Sequence, residues 1–234
     1  MIKEAIVLAG GLGTRLREAV PELPKCLAPI NDKPFLSYLV NYFISQGIEK
    51  FIFSLGYKHE MIEEMLTKEF PSLQYEIVIE DEPLGTGGAI AFAMNKTIEE
   101  DVIILNGDTF YSIDLNRFSE QHLALGGECT LALKPMKDFD RYGVVEIDRN
   151  GMVTTFKEKQ HYAEGLINGG VYAVHVPSFL QYTFPSKFSF EKDYLEKQFE
   201  SGNIKGHVEE GYFIDIGIPE DFNRAQTELP AQII

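Results

Sequence analysis

Apolar and polar residues follow two rhythms along the chain, and the first half switches between them repeatedly. Ala5-Ile6-Val7-Leu8-Ala9 is a continuous apolar run, the pattern of a strand buried on both faces. Phe35 to Gln46 places Leu36, Leu39, Val40, Phe43 and Ile44 at helical spacing, with Pro34 suited to the first turn and Gly47 to the C-terminal cap. Phe51-Ile52-Phe53-Ser54-Leu55 predicts a second strand. His59 to Lys68 predicts an amphipathic helix, with Met61, Ile62, Met65 and Leu66 as its packing seam. Tyr75 to Ile79 predicts a third strand, Ala89 to Asn95 a helix, and Val102-Ile103-Ile104-Leu105 a fourth, fully apolar strand. Asp114 is expected to cap a helix that reaches about Leu125 and ends at Gly126-Gly127. This alternation predicts a parallel sheet with right-handed crossovers, whose ligands sit beyond the carboxyl ends of the strands.

From Cys129 the rhythm changes. Thr130 to Leu133 predicts a strand. The runs Tyr142 to Asp148 and Val153 to Lys159 flank the turn Arg149-Asn150-Gly151, a hairpin signal. Ser189 to Glu200 predicts a helix. The apolar run ending in Asp215 predicts a strand, followed by a helix from Pro219. The expected fold class is α/β: a Rossmann-like, mostly parallel but mixed central sheet flanked by helices, with a smaller β-rich lobe over it.

Composition narrows the picture. The 234 residues are 44% hydrophobic and 24% charged, ordinary for a globular protein, and fit one large domain over residues 1–234 better than two independent ones. No apolar run is long enough to span a bilayer, and Met1-Ile2-Lys3-Glu4 leads into the first strand without a signal-peptide pattern. Cys26 and Cys129 are too few for a disulfide framework and lack metal-site spacing, so a reducing cytoplasm is expected. The histidines His59, His122, His161, His175 and His207 are scattered and read as structural or surface residues. A net charge of −15 argues against nucleic acid or an anionic membrane as partner. An acidic protein that binds a polyphosphate must gather its cations at one place or neutralise phosphate with a metal.

One stretch could do the gathering. After Leu8-Ala9 come Gly10, Gly11 and Gly13 within four residues, then Thr14 and Arg15. Glycine lets backbone approach a ligand closely, successive N–H groups make an anion-binding concavity, and arginine adds a planar fork of donors. The spacing fits neither the dinucleotide fingerprint, since Leu16 stands at the third glycine position counted from Gly11, nor the Walker loop, since Arg15 stands at its second glycine position and Lys-Thr is absent. Taken alone, the loop could also be a glycine-rich turn without a ligand. Farther on, Asp108 sits at the tip of the fourth strand in Asn106-Gly107-Asp108-Thr109-Phe110. A carboxylate there needs compensation, which Mg²⁺ would supply through hard oxygen ligands; a cap or turn aspartate is the alternative. Asp215 is a second carboxylate in the same kind of setting.

Gly-Gly-x-Gly-Thr-Arg-Leu from Gly10, Pro-Lys-x-Leu-x-Pro-Ile from Pro24, and Lys33-Pro34-Phe35 together resemble the signature of the sugar-1-phosphate nucleotidyltransferases, and later motifs extend the likeness along nearly the whole chain. The resemblance implies an enzyme that joins a nucleoside triphosphate to a sugar 1-phosphate with Mg²⁺ and releases pyrophosphate. It implies a nucleotide-binding half, about 1–127, and a sugar-phosphate-binding half, about 128–234. In the first loop, Leu8, Ala9, Gly10, Gly11, Gly13, Thr14 and Arg15 would hold the nucleotide, and Lys25 would sit by the phosphate where the new bond forms. Glu80, Asp81, Gly85 and Thr86, in the stretch that lines the base and ribose pocket, and Gly107 complete the nucleotide set. Asp108 and Asp215 would be the metal ligands. Tyr142, Gly143, Glu158, Lys159, Asn168 and Gly169 would face the sugar phosphate, Lys159 on its phosphate and Glu158 on a ring hydroxyl. Gln160 stands where the family often has proline, which loosens that loop's geometry. Asn168-Gly169 could instead be a structural turn. The implied catalytic set is Arg15, Lys25, Asp108 and Lys159. No hexapeptide repeat follows, so no appended β-helix domain is expected, and a homodimer stays open.

Within the family, Ile30 to Leu36, Glu82 to Ala89, and Asp138 to Gly143 with Gly165 to Gly170 look closest to the D-glycero-D-manno-heptose 1-phosphate guanylyltransferases. That implies GTP as donor. Guanine carries N1–H and N2–H₂ donors, so its pocket should offer acceptors from Glu80, Asp81 or backbone carbonyls. Uridylyl- or guanylyltransferases for mannose, glucose or N-acetylmuramate 1-phosphate are the alternatives. Nucleotide-sugar glycosyltransferases usually carry Asp-x-Asp, where this chain has Asn106-Gly107-Asp108. A non-catalytic sensor would be expected to lose Lys25 or an aspartate, and Arg15, Lys25, Asp108 and Asp215 all stand.

Overall fold

The computed structural model of the chain describes residues 1–11, 16 and 20–232. Its strands are β1 (Glu4–Leu8), β2 (Pro29–Ile30), β3 (Lys33–Pro34), β4 (Lys50–Leu55), β5 (Gln74–Ile79), β6 (Asp101–Asn106), β7 (Thr109–Tyr111), β8 (Cys129–Phe139), β9 (Val144–Ile147), β10 (Val153–Lys157), β11 (Tyr162–His175), β12 (Ile204–Val208) and β13 (Phe213–Asp215). The helices are α1 (Phe35–Ser45), α2 (His59–Glu69), α3 (Gly85–Met94), α4 (Leu115–Leu125), the short α5 (Val176–Phe179) and α6 (Glu196–Gln198), and α7 (Pro219–Glu228).

Seven strands form the central sheet in the order β12-β8-β11-β6-β1-β4-β5. β6, β1, β4 and β5 run parallel; β11 is antiparallel to both β6 and β8, and β12 runs parallel to β8. β11 alone therefore runs against the rest, which is the mixed sheet expected. β8, β11 and β12 come from the second half, so both halves share one sheet. The hairpin β9–β10 and the pair β7–β13 stand apart from it as the smaller β-rich lobe.

Alternation along each central strand buries both faces. Ala5 and Val7, Phe51 and Phe53, and Ile103 and Leu105 belong to one core, with α1, α2, α4 and α7 supplying Leu39, Ile62, Phe118 and Ala225. Ile6, Ile52, Val102 and Ile104 belong to the opposite core, with Ile90 and Ala93 of α3 and an aromatic group that includes Phe179, Phe190 and Tyr194. A strand covered on both sides has no polar face, which is why these segments read as continuous apolar runs. Asp114 caps α4 by accepting from the Arg117 N–H, and Gly126 ends it in the left-handed region.

Two expectations change in detail. The segment 166–172 lies inside the long strand β11; its register is irregular between Asn168 and Tyr172, where Gly170 has φ +73° and its N–H donates to Asn168 Oδ1 at 3.0 Å. The Asn-Gly signal thus marks a bulge in a strand. The helix expected from Ser189 opens in π geometry over Phe190–Leu195 before becoming α6, with the Ser189 side chain accepting from the Lys192 N–H and the Ser189 N–H donating to Asp193 at 2.9 Å. Among the described residues, no helix is long and apolar enough to cross a membrane.

Candidate active site

Residues just past the carboxyl ends of β1, β5 and β6 are tied to their neighbouring strands across the same edge of the sheet. The Ala9 N–H donates to Ser54 O at 2.9 Å and the Gly107 N–H to Leu8 O at 2.9 Å, while Glu80 N–H donates to Leu55 O at 2.8 Å. The carboxyl end of β1 and the tip of β6 are therefore neighbours. A Cβ on Gly107 would lie 2.7 Å from Leu8 O, so the tip tolerates no side chain at that place. Gly10 packs against Gly56 and the Glu80 carboxylate, and Gly11 is exposed. Gly13, Thr14 and Arg15 lie outside the described residues.

Lys25 enters this edge from a short helical turn, Lys25–Leu27. Its Nζ lies 2.6 Å from Asp108 Oδ2 and 3.2 Å from Asp215 Oδ1. Asp108 follows β6, and Asp215 ends β13, whose antiparallel pairing sets Asp215 opposite Thr109. Each carboxylate is held on its other contacts: Thr109 Oγ1 donates to Asp108 Oδ1 at 3.2 Å, and the Gly217 N–H donates to Asp215 Oδ1 at 2.8 Å. A Cβ on Gly217 would lie 2.8 Å from Asp215 Oδ1 and 2.9 Å from Lys25 Nζ, so glycine is required for this approach. Asp215 also has Arg141 Nη2 at 3.8 Å, and Arg141 forms an ion pair with Asp221, which in turn takes Arg224 Nη1 at 2.8 Å.

Asp108 and Asp215 open onto a cavity of about 700 Å³, within the range of small-molecule sites. All six residues expected at the sugar phosphate line it: Tyr142, Gly143, Glu158, Lys159, Asn168 and Gly169. The residues just before β9 and just after β10 supply the first four, and β11 the other two. Lys159 and Glu158 are exposed at its rim. Burial pushes the Tyr142 phenol up, with the Asp215 charge adding to the effect, so the hydroxyl stays protonated and can donate. The Asn168 amide is oriented by donating to Tyr172 Oη at 2.9 Å.

The expected base-side residues are less open. Glu80 accepts from Ser54 Oγ at 3.3 Å on one oxygen and from the Leu84 N–H at 2.9 Å on the other, so its carboxylate shapes the loop before α3. Asp81 is exposed. Gly85 has φ +72° at the start of α3, and the Thr86 hydroxyl donates to Glu191 Oε2 at 2.8 Å and accepts from the Phe190 N–H at 2.8 Å. Thr86 thus ties α3 to the segment that also carries Ser189, Glu191 and Lys192 into the cavity wall.

Sequence reasoning passed over several residues. Arg141 stood only inside a likeness, yet it adjoins Tyr142 and reaches both Asp215 and Asp221. Asp221, in the first turn of α7, is buried although it is acidic. For Gly217, no periodicity could show that its missing Cβ makes room for Lys25.

Among the described residues, no three His, Cys, Asp or Glu side chains gather closely enough to hold a metal between them. Two carboxylate oxygens within reach of one ammonium do fit Mg²⁺, which favours one or two protein carboxylates plus phosphate oxygens and water.

A family model described as nucleotidyl transferase matches residues 4–232. The chain is 52% identical to the D-glycero-alpha-D-manno-heptose 1-phosphate guanylyltransferase of Aneurinibacillus thermoaerophilus, covering 97% of this chain and 98% of that protein. It is 43% identical to the enzyme of that name from Campylobacter jejuni, covering 94% and 96%. The crystal structure of HddC from Yersinia pseudotuberculosis superposes with a TM-score of 0.87 at 39% identity, covering 96% of this chain and 98% of that one, and a second structure of HddC is complexed with GMP-PN.

Proposed function

Because this chain belongs to the nucleotidyl transferase family, we propose that it transfers GMP from GTP to D-glycero-α-D-manno-heptose 1-phosphate, giving a nucleotide-sugar and pyrophosphate. The observation that carries the reading is the meeting of Lys25 with Asp108 and Asp215, two residues of the wall of a cavity that Lys159 also lines. A polyphosphate and a sugar phosphate, brought together there, would meet two lysines and two carboxylates. The names of the two bacterial relatives and the GMP-PN complex of HddC support the base and the sugar.

The chemistry is in-line displacement at the α-phosphorus by a sugar-phosphate oxygen. Such a step needs positioning and charge neutralisation more than covalent help, and an ionised phosphate needs no general base. Lys25 would stabilise charge on the triphosphate, together with Arg15 of the first loop. Lys159 would hold the sugar's phosphate in line, with Glu158 and Asn168 on ring hydroxyls and Tyr142 donating at the same end. Residues 1–127 would serve the nucleotide and 128–234 the sugar phosphate. Asp108 and Asp215 would hold Mg²⁺, which supplies neutralisation of phosphate charge when bound. A cytoplasmic location fits the substrates, and a homodimer is compatible with this reading.

The decisive experiment is a pyrophosphate-release assay with ATP, CTP, GTP and UTP against heptose, mannose and glucose 1-phosphates. GTP with the heptose phosphate should give the highest turnover. Higher turnover with UTP and glucose 1-phosphate would overturn the substrate assignment.

A further inference from the structure

Lys25 can meet a phosphate only if its ammonium is free to do so, and in this structure it is engaged. Nζ is held at 2.6 Å by Asp108 and 3.2 Å by Asp215, and the side chain is 10% exposed. A charge so far from water is stable only with such partners. The two carboxylates it bonds are also those that would hold a divalent ion. An ion held by the same two carboxylates would put a second positive charge beside the ammonium and compete with it for the same lone pairs. The two cations therefore exclude one another.

We propose that Lys25 is the counter-ion of the metal seat: in the nucleotide-free protein its ammonium bars the divalent cation, and an arriving triphosphate draws it away and opens the seat. The surrounding bonds suit this exchange. The Gly217 N–H and Thr109 Oγ1 hold one oxygen of each carboxylate independently of Lys25, so Asp215 and Asp108 stay aimed when the ammonium leaves. Arg141, at 3.8 Å from Asp215 and anchored by Asp221, remains as background charge and is not displaced. A triphosphate offers the ammonium more negative charge than two carboxylates that are being neutralised by a divalent ion. By linkage, nucleotide then raises metal affinity by the factor that metal raises nucleotide affinity.

The inference rests on the metal assignment proposed above, but its test does not depend on which base or sugar is used. Mn²⁺ binding to the full-length protein, without nucleotide, is followed by the electron paramagnetic resonance of the free ion. Lys25→Ala should bind one Mn²⁺ roughly ten- to a hundredfold more tightly than the unsubstituted protein, the range expected for removing a competing charge-assisted bond. Lys25→Gln carries the same expectation and serves if circular dichroism shows the alanine variant unfolded. The double variant Lys25→Ala/Asp108→Asn should return to weak binding. Equal or weaker Mn²⁺ affinity in a folded Lys25 variant overturns the proposal, as does tight binding that survives in the double variant. If the Lys25 variants gain Mn²⁺ affinity as expected while the unsubstituted protein releases no pyrophosphate from GTP, the exchange stands and the guanylyl assignment falls.

Discussion

Asp215 is the cross-strand partner of Thr109, and Thr109 directly follows Asp108. The register of two three-residue strands therefore sets the distance between the two carboxylates, and Lys25 bridges them. A slip of one residue would turn Asp215 to the opposite face of its strand. The site thus depends on a very short pairing, stabilised by the apolar neighbours Phe110 and Ile214, both fully buried.

Asp108→Asn and Asp215→Asn should each lower Mg²⁺-dependent turnover by at least roughly a hundredfold. Both side chains retain some exposure, and each variant still leaves Lys25 one carboxylate, so far-ultraviolet circular dichroism should be unchanged. Near-normal turnover in either variant would remove that residue from the metal assignment.

The two lysines should separate kinetically. Lys25→Ala should lower kcat, since Lys25 would act where the bond forms. Lys159→Ala should raise the KM for the sugar phosphate about ten- to a hundredfold, the loss of one charge-assisted contact of about 1.5–3 kcal/mol. Lys159 is exposed, so its loss should not change the melting temperature. Unchanged sugar-phosphate kinetics would take Lys159 out of that half of the site.

Gly217→Ala tests the close approach of Lys25 to Asp215. The added methyl would sit 2.8 Å from Asp215 Oδ1 and 2.9 Å from Lys25 Nζ, too near for either to stay. Turnover should fall about tenfold or more, while the melting temperature moves by no more than about 4 °C. Full activity would mean that the contact does not matter to catalysis.

Thiol reactivity checks the core beside the site. Burial pushes the Cys26 thiol up to about 12, and Cys129, equally buried, lies well above its ordinary value. A raised thiol pKa keeps the unreactive protonated form through pH 8, and burial blocks access as well. Neither cysteine of the native protein should react with an aromatic disulfide reagent at pH 8, and both should react in denaturant. Rapid labelling of Cys26 in the native protein would show that the turn carrying Lys25 opens.

Base choice is the finest test. A pocket built to satisfy the guanine donors is left with unpaired acceptors when uracil enters, which discriminates strongly. The extra carbon of a heptose adds a smaller contact. GTP should therefore exceed UTP in kcat/KM by a wider margin than heptose phosphate exceeds mannose 1-phosphate. With both oxygens of Glu80 engaged by Ser54 and Leu84, Glu80→Gln should disturb the loop before α3 as well as base selection, seen as lower kcat/KM for every triphosphate.

The sequence by itself determined the elements and the kind of chemistry. Strands buried on both faces are apolar at nearly every position, and helices covering them at every third or fourth, so β1, β4, β6, α1 and α2 could be located from pattern alone. Glycines before Arg15, the lysine in Pro24-Lys25, and carboxylates on apolar strand ends marked the candidate residues. Tertiary structure alone decided which of them meet. Lys25, Asp108 and Asp215 come from three distant segments, and their contact follows from sheet order and from the β7–β13 register, neither of which has a local signal. The same holds for Gly217, whose role is an absence of atoms, and for Arg141 and Asp221, whose pairing joins the lobe to α7. Periodicity reports which face of an element is covered; it carries no information about which element covers it, and a site assembled from several strand ends is a statement about the latter.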